Sequence, residues 1–268
     1  MKFGKKRYII ISLLMIAVLL VGCGDNGDDG IYKVIDDKLY TQNYGIGFRY
    51  GDEELRDILG GAIEVLAANG TASELVKQFI PGKELDIAED ESALDGMEIE
   101  SRTLIVGLTA DRPPMAYIDT DGSITGFDVK MAQAACNLLG WEADYRVIEF
   151  DPQVELDSGN VDCIWGGFAI TYDMRENLTC SVPYLSYDQV LMTLTGSEYG
   201  SFNSLKDKTL GVPADNAAEE VLSLQEPVIP HNAETREYEN YDACIAALES
   251  GEVQGVLISS VSADWYVR

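Results

Sequence analysis

From Thr103 onward, short apolar runs alternate with amphipathic stretches. The runs 103–108, 143–148, 161–168, 188–195, 209–213 and 256–259 are four to eight residues long and rich in Val, Ile, Leu and Thr, which predicts strands. Between them, apolar positions recur at helical spacing over 128–139, 216–224, 241–250 and 261–266. The helix over 128–139 opens on Asp128, an acceptor suited to an N-cap, and stops at Gly140. Strands and helices in alternation predict an α/β architecture.

Before this block lies another, with its own pattern. Residues 51–66 place Leu55, Ile58, Leu59, Ile63 and Leu66 on one helical stripe, with Asp52, Glu53 and Glu54 at the start where acids favour the helix dipole. Asn69 and Gly70 end this helix, and 73–79 predicts a short second one. The acid-rich segment 81–101 that follows predicts a surface linker.

The chain begins differently again. Lys2, Lys5, Lys6 and Arg7 precede a mostly apolar run from Tyr8 to Val21 and the tetrad Leu20-Val21-Gly22-Cys23. This pattern predicts a lipoprotein signal peptide over 1–22, with Cys23 as the acylated N-terminus and 23–30 as a polar leash. The run is short for a membrane span, which takes about 20 residues.

Composition then excludes several functions. The formal charge is −27, from 46 acidic and 19 basic residues, and loss of the basic signal would leave the mature chain four charges more negative. Such a surface repels nucleic acid and anionic lipid, so membrane attachment falls to the acyl chains. Cys136, Cys163, Cys180 and Cys244 allow two disulfides or four free thiols, and spacing does not decide between them. His231 is the only histidine, so no Cys/His cluster has metal spacing, and no cofactor is expected.

Several motifs stand out: Arg112-Pro-Pro-Met-Ala-Tyr117, Asp121-Gly-Ser-Ile-Thr-Gly-Phe-Asp128, Val161-Asp-Cys-Ile-Trp-Gly-Gly-Phe168, Val182-Pro-Tyr184 and Leu210-Gly-Val-Pro-Ala-Asp215. In this order they resemble the head of an amino-acid-type solute-binding protein of an ABC importer, a type II periplasmic-binding-protein-like fold. The tail of that family, a lobe-two strand, a GIGFR-like strand and closing helices, resembles residues 32–40 and 44–80, which here come first. The resemblance implies a two-lobed α/β fold with a hinge, circularly permuted. Lobe one spans 40–195 and includes the acidic linker 81–101, and lobe two combines 31–36 with 196–268.

The same resemblance implies a cleft that holds a small polar solute, an amino acid or a relative, with an ABC permease as partner and no chemistry performed. Arg175, in Thr171-Tyr-Asp-Met-Arg175, is the carboxylate anchor by this likeness, although one residue further from its Thr than is usual. Asp215, Asn216 and Ala217 supply a helix start suited to an anion. Gly166, Gly167, Phe168 and Ala169 border the solute through backbone, while Arg112, Met115 and Phe150 flank its side chain. Thr109 and Ser259 stand where relatives often carry acids for the ammonium group, with Asp111, Asp151 and Asp215 near enough to compensate. The alternatives are a sensor or partner-presenting protein without transport, or a dehydratase-like enzyme on the same fold using Asp111, Glu149 or Asp151 as acid or base.

Overall fold

A computed structural model describes residues 30–148, 151–224 and 229–268. The expected signal peptide, Cys23 and Phe150 lie outside the described residues.

Two five-stranded sheets organise the chain. The first runs in the order β1 (Tyr32–Tyr44), β10 (Leu185–Leu194), β13 (Gly255–Ser259), β11 (Thr209–Pro213) and β12 (Glu234–Tyr238). The second runs β7 (Glu142–Val147), β3 (Thr103–Leu108), β8 (Cys163–Ile164), β2 (Gly47–Phe48) and β9 (Thr179–Cys180). A small antiparallel sheet of β4 (Asp111–Arg112), β5 (Ala116–Ile118) and β6 (Ile124–Thr125) completes the set.

Side-chain alternation explains why helices cover both faces of each large sheet. In β3, Leu104 and Val106 join one core while Ile105 packs against another, and in β8 Cys163 and Ile164 divide the same way. The first of these cores holds α1 (Glu53–Ala68), α2 (Thr71–Phe79) and α3 (Phe127–Leu139). All five residues of the expected α1 stripe are buried in it. The opposite face packs α4 (Pro152–Asp157) and α5 (Tyr172–Asn177) through Leu156 and Met174. In the first sheet, Val256 and Ile258 of β13 face α7 (Tyr241–Glu249), whereas Leu257 faces α6 (Asn216–Ser223). The last helix, α8 (Ser260–Tyr266), follows β13 directly and sends Val261 into the core of the other sheet.

Strands β1 and β10 connect the two halves. They pair antiparallel from Tyr32 opposite Leu194 to Tyr44 opposite Leu185, with a register shift between Ile35 and Tyr40. At its far end β1 bridges to Ala169 through Tyr44, and three residues later, at Gly47, the chain enters the second sheet as β2 between β8 and β9. The N-terminal block is therefore woven into both sheets. Phe48 and Ile46 are fully buried at the junction, among the lobe-one side chains.

Several sequence expectations change in detail. Only Cys163–Ile164 of the run 161–168 pairs as a strand, because Gly167 turns the backbone with φ +70°. Asp128 is not the N-cap of α3; that place is Gly126, and Asp128 sits fully buried in the first turn. The segment 81–101 runs over the surface, as expected of a linker, and is docked on it. Leu85, Ile87, Leu94 and Ile99 pack on the α1 core, and the Asp86 N–H donates to the Tyr184 carbonyl at 2.8 Å. The four cysteines among the described residues, Cys136, Cys163, Cys180 and Cys244, are free thiols, three of them buried, and burial pushes Cys136 and Cys180 up to about 11.

Candidate functional site in the cleft between the sheets

A cavity of about 730 Å³ lies between the two halves. Its walls come from the ends of β3 and β8, the small sheet and the start of α4 on one side. On the other side stand the β11–α6 turn and the β12–α7 turn, through Ala214, Asp215, Ala217, Glu239 and Asn240. Both sheets thus aim the ends of their parallel strands at one space, where open α/β sheets place their ligand sites.

Glycines shape the floor. A Cβ on Gly166 would stand 2.6 Å from the Leu108 Cβ, and one on Gly167 would stand 3.2 Å from Arg112 Cδ at a φ suited to glycine. Asp128 fixes this turn from behind. Its Oδ2 accepts the Gly167 N–H at 2.6 Å and its Oδ1 accepts the Tyr184 hydroxyl at 2.7 Å. Burial pushes the Asp128 carboxyl up to about 7, against the pull of these two donors.

Arg112 and Asp215 meet across the cleft. Arg112 Nη1 donates to Asp215 Oδ2 at 2.9 Å, and its Nε donates to Thr109 Oγ1 at 3.0 Å. The guanidinium also lies 6.0 Å from the centre of the Tyr241 ring, within cation–π range. Burial opposes the charge on Arg112, but Asp215, ahead of Tyr241 and Asp111, holds its pKa above the usual arginine value. The other Asp215 oxygen, Oδ1, accepts the Ala218 N–H at 2.7 Å and caps α6. Behind this pair stand Tyr44 and Tyr187, stacked at 4.1 Å, whose hydroxyls burial raises above their ordinary value.

The structure brings Thr109, Arg112, Gly166, Gly167, Phe168, Ala169, Asp215 and Ala217 to the cavity wall. Of Asn216 it describes the backbone, at the first position of α6. Three expected residues are elsewhere. Met115 is fully buried beneath the glycine turn, and Arg175 is on the exposed side of α5, away from the cavity wall. Ser259 is also buried, and its Oγ accepts the Ser262 N–H at 3.1 Å as the N-cap of α8. Thr171 caps α5 and Met174 takes its buried face, so Arg175, the expected carboxylate anchor, turns outward.

Other contributors were not read from the sequence. Glu220 of α6 accepts from Gln42 Nε2 at 2.7 Å and from the Tyr172 N–H at 2.8 Å, and Gln42 also donates to the Ala217 carbonyl at 3.0 Å. Glu239 and Asn240 line the cavity from a turn after an edge strand that carries no apolar pattern. No group of three or more His, Cys, Asp or Glu among the described residues could hold a metal ion.

With this geometry in place, comparison with known proteins decides the family. Residues 104–255 match the bacterial extracellular solute-binding proteins, family 3. The chain belongs to this family. It is 25% identical over 178 residues to the arginine-binding extracellular protein ArtP of Bacillus subtilis, covering 66% of this chain and 69% of that protein. It is 26% identical over 188 residues to the L-cystine-binding protein TcyJ of Escherichia coli, covering 69% of each. Among solved structures, an ABC uptake transporter substrate-binding protein from Streptococcus pneumoniae with bound histidine aligns with a TM-score of 0.55 and 27% identity, over 62% of this chain and 69% of that one. The fold is accordingly that of an amino-acid-type, two-lobed solute-binding protein. The family match begins at residue 104, so β1, β2, α1 and α2 fall outside it even though they build both lobes.

Proposed function

We propose that this protein is the extracytoplasmic receptor of an ABC importer and that it holds an amino acid or a related small polar compound in the interlobe cleft. One observation carries the reading. The cavity is walled from both lobes by strand ends, a glycine turn and a helix start, and β1 and β10 form a two-stranded hinge beside it. Its relatives in the family include arginine-, cystine- and glutamate-binding proteins, which supports a small polar solute of the amino-acid class. Both ArtP and TcyJ are binding proteins, which supports a cleft that serves binding rather than reaction.

Two further parts of the proposal concern arrangement. Cys23 is acylated after loss of residues 1–22, which tethers the chain to the outer face of the membrane through the leash before β1. The chain is also a circular permutation of its family, with the closing strand and helices moved ahead of the first strand. The placement of β2 between β8 and β9, and of α1 and α2 against α3, supports that order.

The test is a thermal-shift screen of the full chain against amino acids, amines and short peptides. A solute that binds only the folded state raises the melting temperature, by an amount that grows with concentration. The expected outcome is a saturable rise with at least one compound. No rise with any of them argues against a receptor.

A further inference from the structure

We propose that Asp215 stands in for the carboxylate of a solute, so that the cleft selects an organic cation lacking an α-carboxylate: an amine or amidine on an apolar skeleton. The inference rests on reading the interlobe cavity as the solute site, and it names the class of solute.

The cleft has two devices able to hold an anion, and Asp215 already engages both. Arg112 is the one Lys or Arg among the described residues on the cavity wall, and its Nη1 is bound to Asp215 Oδ2 at 2.9 Å. Thr109 and Tyr241 engage the rest of the guanidinium. The second device is the N-terminus of α6, where Asp215 Oδ1 takes the Ala218 N–H at 2.7 Å. A solute carboxylate arriving there would meet a carboxylate whose side chain is only 7% exposed and which it would have to displace. Displacement would leave Asp215 buried without its partner, which is strongly destabilising for a buried charge.

A cation meets the opposite situation. Asp111, Asp151 and Glu239 line the same cavity, and among the described residues Arg112, already bound to Asp215, is the one basic side chain on its wall. Asp111 Oδ1 has no hydrogen-bond partner, and its ion pair with Arg112 Nε is a long one at 4.0 Å. An ammonium or amidinium group in the cavity supplies a positive charge to these carboxylates. The remaining wall is apolar, with Ile118, Val147, Ile148, Ile164 and Phe168, and suits a carbon chain.

The experiment is isothermal titration of the full chain at neutral pH with matched pairs: arginine and agmatine, lysine and 1,5-diaminopentane, phenylalanine and 2-phenylethylamine. In each pair that binds, the amine is expected to bind at least about tenfold more tightly than its parent amino acid. Parents that bind as tightly as the amines, or more tightly, overturn the proposal and leave the receptor reading standing. If no member of any pair binds, both fail. Asp215→Asn keeps a capping oxygen but frees Arg112, and it is expected to raise affinity for the amino acids at least about tenfold. If that variant does not fold, Asp111→Asn serves instead: a loss of at least about tenfold in amine affinity supports the proposal, and unchanged affinity overturns it.

Discussion

Glu220 of α6 accepts the backbone N–H of Tyr172 at 2.8 Å, so a carboxylate of one lobe holds the first turn of α5 in the other. Its second oxygen is bound to Gln42 on the hinge strand β1. These contacts latch the lobes to each other across the cleft. Hydrogen bonds to a charged group contribute about 1.5–3 kcal/mol. Glu220→Ala is expected to raise amide hydrogen exchange at Tyr172 by roughly tenfold or more without lowering global stability to the same degree. Unchanged exchange at Tyr172 would show that the contact does not hold the lobes together.

Asp128 gives a dependence on pH. Burial pushes its carboxyl up to about 7, with Gly167 and Tyr184 pulling the other way, while an unfolded-chain Asp titrates near ~3.9. The folded state therefore holds this proton more tightly than the unfolded state. The stability it contributes is complete below the unfolded value, falls as pH rises through the folded one, and levels off above about 7. Asn at this position can serve Gly167 with its oxygen and Tyr184 with its amide, so Asp128→Asn keeps the geometry and loses the titration. Between about pH 5 and 8 its melting temperature should decline less than that of the parent. Parallel curves would contradict the assignment.

Phe48 tests whether the N-terminal block belongs to the same folding unit. It is fully buried between β8 and β9, and its removal leaves a cavity in the lobe-one core. Phe48→Ala should cost about 3–5 kcal/mol in a single cooperative denaturant transition. A variant that unfolds in two steps, the second matching the parent, would mean that residues 44–80 form an appended unit.

Much of this fold was legible in the sequence because burial and periodicity agreed. Strands β3 and β11 fall where the apolar runs 103–108 and 209–213 predict, and the α1 stripe is buried as its spacing requires. The edge strand β12 was illegible, since Glu234 to Glu237 are all exposed and give no alternation. The length of β1 was hidden by Asp36 and Asp37, where the register shift interrupts an otherwise continuous pairing. At the site, the glycine turn was readable from its residues. The Arg112–Asp215 contact was not, because it joins residues of different lobes whose own segments give no sign of each other. Ser259 shows the converse: its departure from the family pattern stands out in the sequence, but its use as the α8 cap appears only in three dimensions.

The glycine turn itself can be challenged. Gly166→Ala places a methyl 2.6 Å from the Leu108 Cβ, a contact that forces backbone movement rather than a rotamer change. Overpacking of this kind costs about 1–3 kcal/mol and shifts the cleft floor. The expected result is a lowered melting temperature together with weakened solute binding. A variant with both unchanged would show that the turn does not border the solute.

The central claim is that the space between the lobes receives a small solute, and filling that space tests it most directly. Ala217 is buried at the start of α6 and borders the cavity. Isothermal titration of the full chain with a panel of amino acids and amines should give a saturable one-to-one isotherm for at least one compound. Ala217→Trp, with folding verified by circular dichroism, should abolish it. An isotherm that survives the filled cleft, or no heat from any compound with the unaltered chain, would contradict the account.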